Sequence, residues 1–360
     1  MGGVVAPGYL VAAPRDLAVV LLCALVAVQA ALLAAPSAEA TGLQVGYYNK
    51  KCKGVDNVVK WHIIRAIKKN HRVGAQLIRL VFHDCFVRGC DGSVLLDKSA
   101  QNPHPEKEAP ANIGLAAFDL LEEIKAVVER RCPGVVSCSD ILVYAARDAA
   151  IILSNGKIDY KVPAGRLDGH VSSSYEAQNE LPDSNSDAKT LIENFARKNF
   201  DAEEMVILSG AHSIGHAHCS SFTGRLTAPS DQINPSYRNM LDYKCHQSAN
   251  PAVVNNIRDE DYETIARYKP DFRTRVRKTP DLLDNTYYHN NLARIVNFHS
   301  DFTLLTHNET LPHVHEYADN ATLWNEDFGD SMVKLSKLSM PAGSKGGIRK
   351  KCSIASHILY

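Results

Sequence analysis

The chain has no charge imbalance: 40 Lys and Arg residues stand against 40 Asp and Glu over 360 positions, and the sequence pI is near 7.2. That excludes a global field as the means of gathering nucleic acid or an anionic membrane, so a partner must be recognised at a site. No C-x-x-C pair occurs, and no Glu follows His212 as an H-E-x-x-H motif would require. Compact zinc clusters and zincin chemistry are therefore poor readings. Internal repeats and low-complexity linkers are missing, and alternating strand patterns are few. Solenoids, disordered chains and all-β architectures fall away with them. What remains, with 45% hydrophobic and 22% charged residues, is enough apolar material for one large core.

Residues 1–40 differ from the rest. Leu17 to Ala35 is apolar apart from Gln29, Arg15 precedes it, and Ala38-Glu39-Ala40 fits a small-x-small cleavage site. We read a secretory signal peptide removed after Ala40, with an uncleaved signal anchor as the alternative. No other segment could cross a bilayer, and no membrane contact is expected after cleavage. The leader holds Arg15, Asp16 and Glu39, so the remainder carries a formal +1.

Cysteine usage agrees with export. Cys23 lies in the leader, which leaves eight cysteines scattered from Cys52 to Cys352. An even eight in an exported chain predicts four disulfides, with roughly a hundred pairings open to sequence alone. Asn308-Glu-Thr and Asn320-Ala-Thr are candidate glycosylation sequons.

Helical periodicity dominates. Val55, Val59, Ile63, Ala66 and Ile67 form one apolar stripe; Phe118, Leu121, Ile124 and Val128 form another, stopped by Cys132-Pro133-Gly134. Residues 139–153 read as a buried helix, Leu191, Ile192 and Phe195 mark a further one, and Asp201-Ala-Glu-Glu204 resembles a capping box. A last amphipathic helix carries Leu323, Phe328, Met332, Leu335 and Leu338. Residues 97–110, 168–187 and 227–280 read as long loops. The expected class is all-α, one unit with a cleft, where a cofactor can lie between helices.

Two stretches carry chemistry. Arg79 to Ser93, RLVFHDCFVRGCDGS, sets Arg79 and His83 at i, i+4, on one helix face among Leu77, Leu80 and Val81. A cation and a neutral base over apolar surface carry a desolvation cost that fold stability does not explain. The second stretch, Leu208 to Cys219, puts His212 among the small residues Gly210, Ala211 and Gly215, which would let a flat group approach. Taken alone, His212 could be a satisfied structural histidine, and His212, His216 and His218 could together hold zinc.

In both stretches the sequence resembles the secretory plant peroxidases, the horseradish-peroxidase family. Arg79-Leu-Val-Phe-His-Asp-Cys with Gly-Cys-Asp-Gly-Ser is similar to the family's distal haem signature, and Leu-Ser-Gly-Ala-His-Ser-Ile-Gly to its proximal one. The similarity runs from about Gln44 to Cys352. It implies a two-part helical bundle with haem b between the halves, and a domain spanning 41–360. It implies a secreted enzyme, in the wall or the vacuole, that reduces hydrogen peroxide and oxidises phenolic donors one electron at a time. A monomer is expected.

The resemblance also implies roles. His212 would be the axial ligand, with Asp301 accepting its other N–H. His83 would take and return the peroxide proton, Arg79 would stabilise developing charge, and Asn112 would orient His83. Phe82 would wall the peroxide pocket and Pro182 would line the donor edge. Asp84, Val87, Gly89, Asp91 and Ser93 would bind a distal Ca²⁺, with Glu106 behind them. Ser213, Thr279, Leu282 and Asp284 match a proximal Ca²⁺ set, but Val276 stands where the family has an aspartate, so that site is expected to be weak or empty. The implied disulfides are Cys52–Cys132, Cys85–Cys90, Cys138–Cys352 and Cys219–Cys245, and Asp140 and Arg166 match a structural ion pair. The competing readings are a non-catalytic haem or calcium protein and a zinc hydrolase on the three histidines, which leaves Arg79 and His83 without a role.

Overall fold

The computed structural model describes residues 42–247, 249, 252–254 and 281–355, together with Gly2. The rest of the leader, Val276 and Thr279 lie outside them. The first four helices are α1 (Val55–Lys69), α2 (Arg72–Arg88), α3 (Phe118–Arg131) and α4 (Cys138–Leu153). The stripe Val55, Val59, Ile63 and Ile67 is buried, as its 3.6-residue spacing dictates. α4 is apolar nearly all round and packs against α1, α2 and α3 at once. Its start is fixed by Ser137, whose hydroxyl accepts the Asp140 N–H at 3.1 Å.

A second group follows: α5 (Ser174–Glu180), α6 (Ala188–Ala196) and α7 (Ala202–Ser209). Asp201 and Glu204 close a reciprocal capping box at the head of α7, so the helix begins where its residue pattern dictates. α7 runs into a 3₁₀ turn, Gly210–Ser213, and then into strand β1 (His216–His218). β1 pairs antiparallel with β2 (Ala252–Val254), the one two-stranded ribbon among the described residues. The later helices are α8 (Thr223–Leu226), α9 (Pro235–Cys245), α10 (Thr286–Leu292), α11 (His299–Thr303), α12 (Leu311–Asp319) and α13 (Ala321–Leu335). Among the described residues the fold is all-α but for that ribbon.

Two supposed loops are partly helical. Residues 168–187 contain α5, started by Ser173 accepting the Glu176 N–H. The stretch after Thr227 contains α9, whose Asn234 cap and first-turn Pro235 are an ordinary helix start masked in sequence by surrounding charge and turn residues.

Four disulfides join Cys52 to Cys132, Cys85 to Cys90, Cys138 to Cys352 and Cys219 to Cys245, the pairs that the family resemblance implies. The main core spans α1–α7 and α10–α13, while Phe222, Tyr237, Met240 and Ile295 form a smaller cluster beside β1 and α9. Beside α4, Arg166 Nη1 meets Asp140 Oδ1 at 2.7 Å and Tyr48 donates to Asp140 Oδ2 at 2.6 Å. This buried, fully bonded network supports the structural reading of that pair.

Candidate active site

α2 carries Arg79 and His83 one turn apart. The Arg79 Nε–H donates to His83 Nε2 at 3.2 Å, and Arg79 Nη2 donates to the Ala111 carbonyl at 2.8 Å. On its other side, His83 Nδ1 lies 2.5 Å from Asn112 Oδ1. The amide of Asn112 is itself oriented, because its Nδ2 donates to the Glu106 carbonyl at 2.7 Å. With the amide oxygen facing the ring, Nδ1 carries the proton and Nε2 keeps its lone pair.

Electrostatics agree. The His83 pKa is pushed down to about 3, first by burial, then by the Arg79 charge, against the opposing Asn112 hydrogen bond. His212 contributes a smaller push in the same direction. Desolvation by the surrounding residues also lowers Arg79, although its side chain keeps contact with solvent and a guanidinium stays charged. The pair is thus a neutral base held beside a permanent cation. Phe82 stacks on Phe86 at 4.7 Å and leaves part of its ring open beside His83.

The turn after α7 brings His212 to Asp301, with Nδ1 2.8 Å from Oδ1. Gly210 fits there because a Cβ would come within 2.7 Å of the Trp324 indole and the Tyr288 hydroxyl. Asp301 is almost fully enclosed: Tyr287 donates to Oδ1 at 2.9 Å, the Phe298 N–H to Oδ2 at 3.3 Å, and Asn291 to its carbonyl at 2.7 Å. The rings of Phe298 and Tyr287 flank the imidazole at 5.2 and 6.1 Å. With Nδ1 tied to a carboxylate, Nε2 is the atom left to meet a metal, and the His212 side chain retains 40% exposure while Asp301 has 5%. That donor set fits an axial iron ligand. His216 and His218 sit on β1, and among the described residues the three histidines form no chelating group. The zinc reading loses its geometry.

The loop after α2 gathers buried acids whose mutual repulsion the nearby Arg349 charge eases only at Asp84 and Asp91. Asp84 accepts the Gly92 and Val94 N–H groups, and Asp91 accepts that of Ser93. Among the described residues neither carboxylate oxygen of the buried Glu106 reaches a partner at hydrogen-bonding distance and angle, although the Ser93 hydroxyl lies near enough to ease its charge. Burial raises Asp84 and Glu106 well above the ordinary carboxylate range, with Asp91 adding repulsion, and burial raises Asp91 to about 6. Orphaned buried oxygens of this kind fit a hard cation. Gly89 has φ 78°, and a Cβ there would lie 2.2 Å from the Ser339 carbonyl, so this turn needs glycine. The Val87 carbonyl accepts from Lys198 at 3.2 Å, which places an ammonium beside one expected ligand.

Below His212, Ser213 is buried next to Asp284, whose N–H meets the Ser213 hydroxyl at 3.4 Å. Leu282 adjoins them in sequence; Thr279 and Val276 are not described, so the full proximal set is not assembled here. Pro182 is half-buried in the α5–α6 loop. Asn308 and Asn320 are exposed, and Asn320 also caps α13 by accepting the Leu323 N–H at 3.0 Å.

Tyr287, Asn291 and the Ala111 carbonyl escaped the sequence reading. Tyr287 and Asn291 sit in a short polar helix without periodicity, and a backbone carbonyl leaves no trace in sequence at all.

A helical fold holding a neutral base and a cation together with a carboxylate-bound imidazole defines the haem peroxidases as a class. Consistent with that, the family model described as peroxidase matches residues 59–320, and the chain belongs to that family. It is 40% identical over 335 residues to peroxidase 2 of Zea mays, covering 91% of this chain and 94% of that protein. Peroxidase 5 of Vitis vinifera is 38% identical over 320 residues (87% and 91%), and a basic peroxidase of Zinnia elegans 35% over 310 residues (86% and 89%). The chain is thus a haem peroxidase, an enzyme that uses hydrogen peroxide to oxidise donor molecules.

Proposed function

We propose that this enzyme is a secreted peroxidase of phenolic donors, with His212 holding haem b through Nε2 and Arg79, His83 and Asn112 acting on hydrogen peroxide. When bound, the haem supplies a redox-active iron that accepts the peroxide and passes electrons between it and the donor. His83 Nε2 takes the proton from one peroxide oxygen and delivers it to the other, so that the O–O bond breaks with water as the leaving group. Arg79 supplies a fixed positive charge where negative charge grows. Asn112 keeps the Nδ1–H tautomer, so Nε2 is always the accepting atom. Asp301, supported by Tyr287, pulls on the His212 Nδ1–H and makes the imidazole a stronger donor. Phe82 restricts the space beside His83 to a small molecule, leaving donors to the edge near Pro182.

The same reading gives Asp84, Val87, Gly89, Asp91 and Ser93 a Ca²⁺ ion, with Glu106 behind them, which would offset the charge of the buried acids and anchor the end of α2. The proximal site, with Ser213, Thr279, Leu282 and Asp284 but Val276 for the usual aspartate, is weak or empty. A leader-like segment at 1–40, four disulfides and two exposed sequons support secretion as a glycoprotein, cut after Ala40 and working as a monomer in this reading. No helix among the described residues is long and apolar enough to cross a membrane.

The observation that carries the reading is the pair of oriented imidazoles: Asn112 holds His83 at Nδ1 with Arg79 at its Nε2, and Asp301 holds His212 at Nδ1 and leaves its Nε2 for a metal. Haem titration of His212→Ala tests it. Loss of stoichiometric haem binding, with peroxide-dependent oxidation of a phenol lost in parallel, supports the assignment. Retention of full haem binding with an unaltered spectrum overturns it.

A further inference from the structure

The overall charge of zero conceals a strongly one-sided segment. Of residues 50–72, eight are Lys or Arg and one, Asp56, is acidic. All eight basic side chains are exposed, and among the described residues none is paired with a carboxylate. Most of them lie on or at the ends of α1, which is roughly 22 Å long at 1.5 Å per residue. Arg131, at the end of α3, brings its guanidinium 3.9 Å from where a Cβ on Gly54 would stand, adding another cation beside Lys53.

The outward face also carries an aromatic. Trp61 is 53% exposed and Ile64 44%, large apolar groups at positions a soluble helix normally gives to polar residues. Trp61, Ile64, Arg65 and Lys68 follow i, i+3, i+4, i+7, so they form one strip. The Arg65 guanidinium lies 4.4 Å from the Trp61 ring centroid and holds the indole in place. An indole flanked by cations offers a flat apolar platform and fixed positive charge to the same ligand.

We propose that this face of α1 is a docking surface for an acidic, carboxylated polysaccharide, in which sugar rings rest on Trp61 and carboxylates meet Lys60, Arg65, Lys68 and their neighbours. The charge sign requires a polyanion. A lipid surface is disfavoured because the apolar stripe of α1 is locked in the core, leaving only Trp61 and Ile64 to insert. A nucleic acid is disfavoured by compartment, since a chain with four disulfides belongs to oxidising surroundings. None of Lys60, Trp61, Arg65 and Lys68 is assigned to haem, peroxide or donor, so docking would fix the enzyme on a matrix and leave those residues free for turnover.

Co-sedimentation of the holoenzyme with polygalacturonate tests the inference. Neutral dextran, single-stranded DNA and phosphatidylserine vesicles serve as competitors, over a salt series. Wild type is expected to bind polygalacturonate with affinity that falls steeply with salt, and to ignore dextran. Lys60→Glu/Arg65→Glu/Lys68→Glu should lose at least about tenfold in affinity, as expected for reversing three contacting charges, while haem content and thermal midpoint stay unchanged. Trp61→Ala should weaken binding several-fold without altering the salt slope. The control Lys189→Glu/Arg197→Glu/Lys345→Glu, which reverses three exposed charges outside residues 50–72, should bind as wild type does. Equal loss in the control overturns the assignment to α1. Tighter binding to DNA or to vesicles than to polygalacturonate overturns the choice of polysaccharide.

Discussion

His83 Nδ1 lies 2.5 Å from Asn112 Oδ1, joining two residues 29 positions apart, one on α2 and the other in a short 3₁₀ turn. This contact settles which ring nitrogen of His83 is basic. Its geometry is set one step further out, where the Asn112 Nδ2–H meets the Glu106 carbonyl and the Glu106 N–H meets the Ser172 hydroxyl. The tautomer of one imidazole is therefore held by a chain of bonds that ends beside the proposed Ca²⁺ loop.

Asn112→Val removes the acceptor while keeping the volume. The imidazole loses its fixed tautomer, and the rate of the reaction with peroxide should fall about 10- to 100-fold, the usual effect of losing an orienting partner. The affinity for haem should not change. Stopped-flow measurement of the peroxide step, with haem content determined in parallel, checks both.

The pH dependence follows from His83. Its folded-state pKa of about 3 lies below the ordinary 6.5, so Nε2 remains a base from neutral pH downward. The peroxide step should be flat in that range and decline only as the pH approaches about 3. Stability behaves differently. Between 6.5 and about 3 the unfolded chain binds this proton and the folded chain does not. Stability is therefore lost as pH falls through that window, and the group has no effect above it. The stability difference between wild type and His83→Leu, read from denaturant titrations, should be constant above pH 6.5 and change below it, with the variant losing less as the pH falls.

Ala117 precedes α3 with φ 72° and ψ 11°, a left-handed conformation that costs a residue bearing a Cβ roughly 1–2 kcal/mol. Ala117→Gly relieves that strain but gives the unfolded chain more freedom. The net change should be a gain of about 0.5–1 kcal/mol in unfolding free energy, read from a denaturant midpoint. No gain would mean that the turn accepts alanine without strain.

Sequence reveals the site wherever chemistry and periodicity coincide in one element. Arg79 and His83 share a helix face, so their i, i+4 spacing alone places them together. The apolar stripes of α1 and α3 and the Asp201–Glu204 capping box are legible for the same reason, as local pattern fixes local structure. Asn112 and Asp301 are found only by likeness to a family, because an Asn in a short turn and an Asp near a short helix have no pattern of their own. Tyr287 and the Ala111 carbonyl are not legible, since their roles arise where distant segments pack. α9 is hidden by its charged, turn-rich composition, although Asn234 and Pro235 mark its start.

The rate at which haem-loaded His83→Leu consumes hydrogen peroxide, compared with wild type at equal haem content, tests the central assignment most directly. With the proton carrier gone and Arg79 left in place, the account predicts a fall of at least about 10³-fold. An unchanged rate at full haem loading would remove His83 from the reaction and contradict the account.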